Sequence, residues 1–454
     1  MRAYQPAAVS GKLLSMASNG KSEIFSERRK RLIEKIGPDA IVVLPSAPVS
    51  VRSNDVEFIY RQDSDFYYLT GFAEPESVAV IAPGHKDGEF VLFVRPRDKE
   101  RETWTGRRAG VEGAVIDYGA DKAYTIAELD RVLGECLHGY QRVLFPIGLN
   151  QEMTDRMLAM LRASYQRRPQ SGDGPTGILD PRHVIHEMRL FKHPEEIEAM
   201  RHAGEISNQA HRRAMREGRP GMMEWEIEAL IDYTFRSRGA AGPSYPSIVA
   251  SGPNATVLHY ISNDRRIEPG DMILVDAGCE YDFYASDVTR TYPVGARFSP
   301  LQRELYEIVL GAQIKAIESV RPGVKVEEVH NLALGVLVEG MRAHGLLAGS
   351  AEEIISSQSY RRFYMHRTSH WLGMDVHDVG LYRIGGESRK LEPGMVLTVE
   401  PGFYIAPDDE TAPERYRGIG IRIEDDVLVT ADGHDVITVA IPKSVADLEA
   451  LTAS

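Results

Sequence analysis

The sequence contains few cysteines and no long apolar run. Cys136 and Cys279 lie far apart among 454 residues, which excludes a framework of disulfide bonds and is typical of a reducing cytoplasm. No stretch approaches the roughly 20 consecutive apolar residues that span a bilayer, and the mean hydropathy is −0.28. A disulfide-stapled scaffold and an integral membrane protein are therefore both excluded.

Clustered basic charge is also lacking. The formal net charge is −13, and the longest run of basic residues covers only residues 28–31. Sequence-independent binding of nucleic acid needs clustered Lys and Arg to replace the phosphate counterions. We therefore expect neither a nucleic acid nor a membrane as a partner.

The length allows about two or three domains, each large enough to bury its own core. Residues 168–177 are rich in Pro, Gly and Ser, which predicts a loop with a domain boundary just after it. We expect a flexible leader over residues 1–21, which is polar and lacks the apolar core of a secretory signal. The predicted domains then cover residues 22–180 and 181–454.

Hydrophobic periodicity predicts a mixed α/β fold for the first domain and an α+β fold for the second. In the first domain, strands are predicted at residues 40–44, 66–70, 78–82 and 90–94 and a helix at residues 125–134. In the second, helices are predicted at residues 194–217, 224–237, 300–320 and 326–344, and strands at residues 247–250, 272–277, 287–292, 395–400 and 419–429.

Four acidic residues lie in or at the ends of apolar strands of the second domain: Asp276, Asp287, Glu400 and Glu424. Burying a lone carboxylate is costly unless a metal ion or an ionic partner offsets the cost. For either aspartate alone, a solvated acid in a turn is the more common explanation. The recurrence of the pattern favours a shared site.

Three histidines, His366, His370 and His377, lie in one short segment between Asp287 and Glu400 in the sequence. A neutral imidazole can bind a transition metal or transfer a proton near pH 7. Any one of them alone is equally well explained as a hydrogen-bonded core histidine. Three together weaken that explanation.

The four acids and His370 form a donor set with four negative charges and one neutral nitrogen. Two divalent cations would balance these charges, and oxygen ligands with one imidazole favour Mn, Co, Fe or Zn over a thiolate-type site. Two metal ions about 3.5 to 4 Å apart can activate water and stabilise the developing oxyanion in peptide hydrolysis. The pattern therefore indicates a metal-dependent hydrolase.

The chain closely resembles the Xaa-Pro aminopeptidases (aminopeptidase P) of the pita-bread metallopeptidase group. The resemblance rests on five motifs: Val275-Asp276-Ala277-Gly278, Ser286-Asp287-Val288-Thr289-Arg290, His366 to His370, Val399-Glu400-Pro401-Gly402 and Arg422-Ile423-Glu424-Asp425. It implies an α/β N-terminal domain of the aminopeptidase P type and an α+β pita-bread catalytic domain of the creatinase/aminopeptidase type. The implied reaction is hydrolysis of the bond between an N-terminal residue and a following proline.

The resemblance also implies the ligands of two divalent metal ions, with Mn favoured and Co, Zn or Fe as alternatives. Asp276 would bind one metal through both oxygens, Asp287 and Glu424 would bridge the pair, and His370 and Glu400 would complete the second metal. Glu400 would also act as the general base that takes a proton from the attacking water.

The remaining assignments concern the substrate. His259 and His377 match histidines that hold the substrate and the tetrahedral intermediate, and His366 is counted with them as catalytic. The expected walls of the pocket around the proline ring are His366, Tyr245, Tyr404 and Arg422. Asp55 and Trp104 resemble residues that line the substrate entrance, with Trp104 contributed by a neighbouring subunit.

Several alternatives share parts of this pattern. Prolidase, which cleaves only Xaa-Pro dipeptides, has the same metal ligands, although residues 60–72 and 104–108 look like aminopeptidase P. A creatinase-type hydrolase or a non-catalytic pita-bread binding module would lack the full ligand set, and methionine aminopeptidase would lack the N-terminal domain. We therefore expect a cytoplasmic enzyme, a homodimer or homotetramer, that acts on peptides with proline in second position.

Overall fold

A computed structural model describes residues 13–295 and 297–452, and the side chains from residue 23 onward. Residues 1–12 of the expected flexible leader lie outside these ranges, and residues 13–21 begin the first helix. The chain divides into two compact units that meet in sequence between Met188 and Arg189.

The first unit is built on a mixed sheet with the strand order β6-β5-β4-β1-β7-β8. The elements in chain order are α1 (Leu13–Ile36), β1 (Ala40–Pro45), β2 (Val51–Ser53), β3 (Val56–Glu57), α2 (Ser64–Thr70), β4 (Val78–Ile81), β5 (Phe90–Val94), α3 (Lys99–Thr105), α4 (Gly110–Ile116), β6 (Lys122–Thr125), α5 (Leu129–Cys136), β7 (Arg142–Leu144), α6 (Gln151–Ser171), β8 (Gly177–Leu179) and α7 (Arg182–Leu190). Strand β1 pairs antiparallel with β4 and parallel with β7. Ile41, Val80 and Phe93 belong to the core on this sheet.

Two predictions for this unit are wrong. Residues 66–70 form helix α2 rather than a strand, because Asp63 caps the helix through a 2.8 Å bond from the Phe66 N–H and Gly71 ends it in the left-handed region. The helix is buried on all sides, so its aromatic run mimics a buried strand. The loop predicted over residues 168–177 begins too early, since α6 continues to Ser171 and ends on Gly172, whose N–H bonds the Arg168 carbonyl.

The second unit combines small antiparallel sheets with long helices. Its elements are α8 (Pro194–Glu217), α9 (Glu224–Ser237), β9 (Gly242–Pro243), β10 (Ile248–Ser251), β11 (Met272–Asp276), β12 (Cys279–Tyr281), β13 (Tyr284–Ala285), β14 (Thr289–Pro293), α10 (Pro300–Ser319), α11 (Val326–Ala343), α12 (Ala351–Ser357), β15 (Arg383–Ile384), β16 (Glu387–Ser388), β17 (Val396–Val399), β18 (Gly402–Ile405), β19 (Ile419–Arg422), β20 (Asp425–Val429), β21 (His434–Val436) and α13 (Val445–Thr452). The predicted helices 194–217 and 224–237 are confirmed to the residue. The sheets have the orders β10-β11-β14, β13-β12-β9, β17-β20-β21, β18-β19 and β15-β16.

The single strand predicted over residues 419–429 is wrong. The chain changes sheets in the middle, because β19 pairs with β18 whereas β20 pairs with β17. Ile423 and Glu424 occupy the break between the two strands. This change of sheet places the carboxylate of Glu424 at the junction of two strands.

The core of this unit packs the helices α8 to α11 against the inner faces of the sheets, with Val275, Leu397 and Val427 among its fully buried members. Across the described ranges, we find no helix whose length and apolar content would let it cross a membrane.

Candidate metal centre

The candidate ligands lie where strands end or change partners. Asp276 is the last residue of β11, and Asp287 stands two positions before β14, which pairs with β11 so that Asp276 faces Thr289. Glu400 connects β17 to β18, and Glu424 connects β19 to β20. Since β17 pairs with β20 and places Val399 opposite Asp425, strand pairing brings together acids that are far apart in sequence.

The centre of the site is formed by Asp287, His370 and Glu424, each of which offers one ligand atom, all within 4.8 Å of one another. The Nε2 atom of His370 lies 3.3 Å from Asp287 Oδ2 and 3.7 Å from Glu400 Oε1. Its Nδ1 lies 3.0 Å from the Trp371 carbonyl oxygen. A proton on Nδ1 is donated to that carbonyl, which leaves the Nε2 lone pair for a metal.

Asp276 is held from two sides. The Tyr245 hydroxyl donates to Oδ1 at 2.6 Å, and Arg422 Nη2 donates to Oδ2 at 2.6 Å. Arg422 is 4% exposed and also donates to the Tyr404 hydroxyl at 3.0 Å and to Thr289 Oγ1 at 3.1 Å. Each oxygen of a carboxylate has two lone pairs, so these contacts fix the orientation of Asp276 and leave it able to bind a cation.

Burial and mutual repulsion dominate the electrostatics of the acids. Burial raises the pKa of Asp276, and it raises the pKa of Glu400 to about 7, with repulsion from the neighbouring carboxylates adding to both shifts. The pKa of Glu424 is raised well above its usual range for the same reasons. For Asp287, burial is outweighed by the hydrogen bond and charge of His370, so its pKa is lowered.

This donor set fits divalent cations, because positive charge would relieve the repulsion among buried carboxylates. The pKa of His370 is raised to about 9: burial lowers it, but the hydrogen bond to Asp287 and the charges of Glu400 and Asp287 outweigh burial. A metal ion competes for Nε2 with the proton that His370 binds below this pKa.

The structure places the other two histidines of the 366–377 segment beside the candidate ligands. His366 Nε2 lies 2.9 Å from the Tyr404 hydroxyl, and its Nδ1 lies 3.7 Å from Glu400 Oε2. Burial, reinforced by the charge of Arg422, lowers the pKa of His366 to about 3, which keeps the ring neutral. The exposed ring of His377 stands edge-on to His370 at 4.4 Å between centroids.

The remaining predicted residues are more exposed. His259 is exposed, follows the turn of 3₁₀ helix at Gly252–Thr256, and its charge contributes to the lowered pKa values of His366 and His377. Asp55 and Trp104 lie in the first unit, Asp55 in the turn between β2 and β3 and Trp104 at the end of α3 with 84% of its surface exposed.

Three threonines that bond to the candidate ligands were not predicted from the sequence. Thr289 Oγ1 donates to Glu424 Oε2 at 2.7 Å while it accepts from Arg422. Thr398 Oγ1 accepts from the backbone N–H of His370 at 3.2 Å, and the Thr368 carbonyl accepts from the N–H of Glu400 at 2.8 Å. For Thr289 and Thr398, the available indication is a polar residue in a buried strand, which period-2 alternation reveals only once the faces are known. Thr368 lies outside the strands and carries no such indication.

The model of Metallopeptidase family M24 matches residues 198–431, and that of the Aminopeptidase P, N-terminal domain matches residues 25–145. The chain is 45% identical to the Xaa-Pro aminopeptidase of Escherichia coli (strain K12) over 428 residues, 94% of this chain and 97% of the relative. It is 35% identical to the Xaa-Pro aminopeptidase 3 of Homo sapiens over 451 residues, 95% of this chain and 86% of the relative.

Among solved structures, the fold is similar to that of the Pseudomonas aeruginosa aminopeptidase PepP, with a TM-score of 0.93 and 49% identity, covering 95% of this chain and 98% of the other. It is also similar to zinc-substituted E. coli aminopeptidase P in complex with product, with a TM-score of 0.91 and 44% identity, covering 95% of this chain and 98% of the other.

Proposed function

The chain belongs to metallopeptidase family M24, and from that premise we propose that it is a metal-dependent aminopeptidase that hydrolyses the bond between an N-terminal residue and a following proline. Its fold confirms the predicted class, an α/β N-terminal domain of the aminopeptidase P type followed by an α+β pita-bread catalytic domain. The observation that carries the proposal is the group of Asp287, His370 and Glu424, gathered within 4.8 Å in a chain similar throughout to Xaa-Pro aminopeptidases.

We propose that five residues would hold two divalent cations: Asp276 would serve one ion, Asp287 and Glu424 would serve both, and His370 and Glu400 would serve the other. The excess of oxygen donors with one imidazole supports a divalent transition metal, and we propose Mn, with Co, Zn and Fe as alternatives. When bound, such ions polarise the peptide carbonyl and lower the pKa of water.

The proposed general base is Glu400. Its Oε1 faces His370 and its Oε2 faces His366, each at 3.7 Å, so both oxygens are directed into the site. Glu400 accepts the proton of the attacking water and passes it to the proline nitrogen as the peptide bond breaks. The bond from its backbone N–H to the Thr368 carbonyl holds the connection between β17 and β18 in place.

The substrate contacts are proposed on the same basis. His259 and His377 hold the carbonyl and the tetrahedral intermediate, and His366 stays neutral beside Glu400. Tyr404, whose hydroxyl lies between His366 and Arg422, forms the wall of the proline pocket with these two residues and with Tyr245. Asp55 and Trp104 are proposed to line the entrance, Trp104 from a second subunit, which the large exposed indole supports.

The substrates are peptides with proline in second position, and the enzyme is proposed to act in the cytoplasm as a homodimer or homotetramer. The low cysteine count supports a reducing compartment. Prolidase activity remains the alternative, but the length of the resemblance to Xaa-Pro aminopeptidases favours release of one residue from longer peptides.

The specificity is tested with two peptides of equal length that differ only in the second residue, proline or alanine. We expect the first residue to be released about 10- to 200-fold faster from the proline peptide, the range that shape contacts in a pocket provide. Mass spectrometry of the products gives the rates. Equal rates for both peptides would contradict the proposed specificity.

His377→Ala tests the proposed substrate contact. We expect kcat/KM to fall about 100-fold, as when one donor to a developing oxyanion is removed, with the bound metal unchanged in elemental analysis. His434→Ala is the matched control, because His434 is half-buried and bonds only a backbone carbonyl, that of Val320, among the described contacts. Loss of metal from His377→Ala would refute the substrate role.

A further inference from the structure

Glu224, the first residue of α9, is a carboxylate that the proposed mechanism does not use. It is 0% exposed, and an ionised side chain is rarely buried so completely without a compensating set of contacts. Its neighbour Glu226 differs sharply: that side chain is exposed and only caps the helix by accepting from the Met223 N–H at 2.8 Å. A helix-capping role is therefore filled by Glu226, and Glu224 requires another explanation.

The partners of Glu224 all come from one segment, residues 251–265. Oε1 accepts from the backbone N–H of Ser251 at 2.6 Å, from its hydroxyl at 2.7 Å, and from Asn254 Nδ2 at 3.2 Å. Oε2 accepts from the Tyr260 hydroxyl at 2.8 Å and from the Arg265 N–H at 2.9 Å. Because a carboxylate only accepts, it can satisfy donors from both ends and the middle of this segment together.

The same segment carries His259, directly before Tyr260. Its two ends are fixed by the backbone as well: Ser251 ends β10, which pairs with the ligand strand β11, and the Glu224 N–H bonds the Arg265 carbonyl at 3.0 Å. Between these ends, Glu224 reaches the residue next to His259 through the Tyr260 hydroxyl. That hydroxyl also lies 2.9 Å from Asp264 Oδ1, so it connects the middle of the segment to a residue near its C-terminal end.

We propose that Glu224 is a positioning residue that holds segment 251–265 in the conformation in which His259 contacts the substrate. The inference rests on the proposed function, since it needs His259 to act on the bound peptide. His259 is exposed, so its neighbours in the chain hold it rather than a surrounding core. A shift of about 1 Å in a group that contacts the reacting atoms can cost about 100-fold in rate.

Glu224→Gln is the informative variant because glutamine keeps the size of the side chain but replaces one acceptor oxygen with a donor NH2. That NH2 then faces the donors of Ser251 or of Tyr260 and Arg265. We expect kcat/KM on the proline peptide to fall about 10- to 100-fold, with the bound metal unchanged. Glu226→Gln is the matched control, since glutamine caps a helix at this position as glutamate does, and it should keep wild-type kinetics.

A double-mutant cycle with His259→Ala separates positioning from general stability. If Glu224 acts through His259, adding Glu224→Gln to His259→Ala should change kcat/KM by less than about threefold. A full 10- to 100-fold loss in both backgrounds would overturn the inference while wild-type cleavage of the proline peptide leaves the proposed function standing. Wild-type kinetics for His259→Ala would overturn both the role of His259 and this inference.

Tyr260→Phe provides the same test without changing the buried charge. The substitution removes only the Tyr260 hydroxyl, which contacts Glu224 and Asp264. Because Tyr260 is half-buried, the fold should tolerate the change. We expect kcat/KM to fall several-fold in the wild-type background and to stay unchanged in the His259→Ala background. Tyr233→Phe, which alters an exposed tyrosine of α9, is the control. Equal losses in both backgrounds would contradict the inference, even if Glu224→Gln fails to fold.

Discussion

Glu400→Gln is expected to lower kcat about 100- to 10,000-fold, the range that a positioned general base contributes. Glutamine retains the shape of the side chain and one oxygen, but an amide cannot accept the proton of the attacking water. The backbone bond of residue 400 to Thr368 is unaffected by the substitution, so the chain should fold normally. Steady-state kinetics on a proline peptide at saturating Mn measure the effect, with circular dichroism to verify the fold.

The control for this variant is Glu392→Gln. Glu392 is an exposed acid that pairs with Arg389 at 3.4 Å, and the same change of charge there should leave kcat unchanged. Turnover near the wild-type rate in Glu400→Gln would contradict the role of Glu400 as the base. A variant with no bound metal would instead show that Glu400 acts chiefly as a ligand.

Removal of the divalent ions is expected to lower the hydrolysis rate by about 100-fold or more, because metal ions supply several kcal/mol of transition-state stabilisation in such sites. The melting temperature should fall as well, since a ligand bound only by the folded state stabilises it and the buried carboxylates then repel one another. Dialysis against a chelator followed by activity and melting measurements tests both effects.

Adding back Mn, Co, Zn or Fe in turn identifies which ion restores the rate, and we expect Mn to restore it most fully. Mg or Ca serves as the control, because the imidazole of His370 suits transition metals better than these ions. Full activity after the metal has been removed, as verified by elemental analysis, would contradict a metal-dependent mechanism.

The helices of the second unit and the candidate ligands could be predicted because each is marked by a local pattern in the sequence. Helices 194–217 and 224–237 carry their own periodicity and end signals, and Asp276 stands out because it ends an apolar strand. The structure gathers Asp287, His370 and Glu424 at one point. Their roles and the metal ions remain predictions.

The features that could not be predicted from the sequence depend mostly on contacts between distant segments. The Thr289 hydroxyl meets a carboxylate 135 positions away, and Glu224 collects donors up to 41 positions away, so no local pattern marks either residue. The split of residues 419–429 into two strands follows from pairing with β18 and β17. Helix α2 was missed because a short, wholly buried helix has no polar face to reveal its period.

The most direct test of the account is product analysis with the Mn-loaded enzyme on two substrates in parallel, an Xaa-Pro dipeptide and a longer peptide that begins with the same two residues. We predict release of the first residue from the longer peptide, with the remainder left intact from its proline onward. Cleavage of the dipeptide alone would contradict the assignment and identify a prolidase with the same metal ligands.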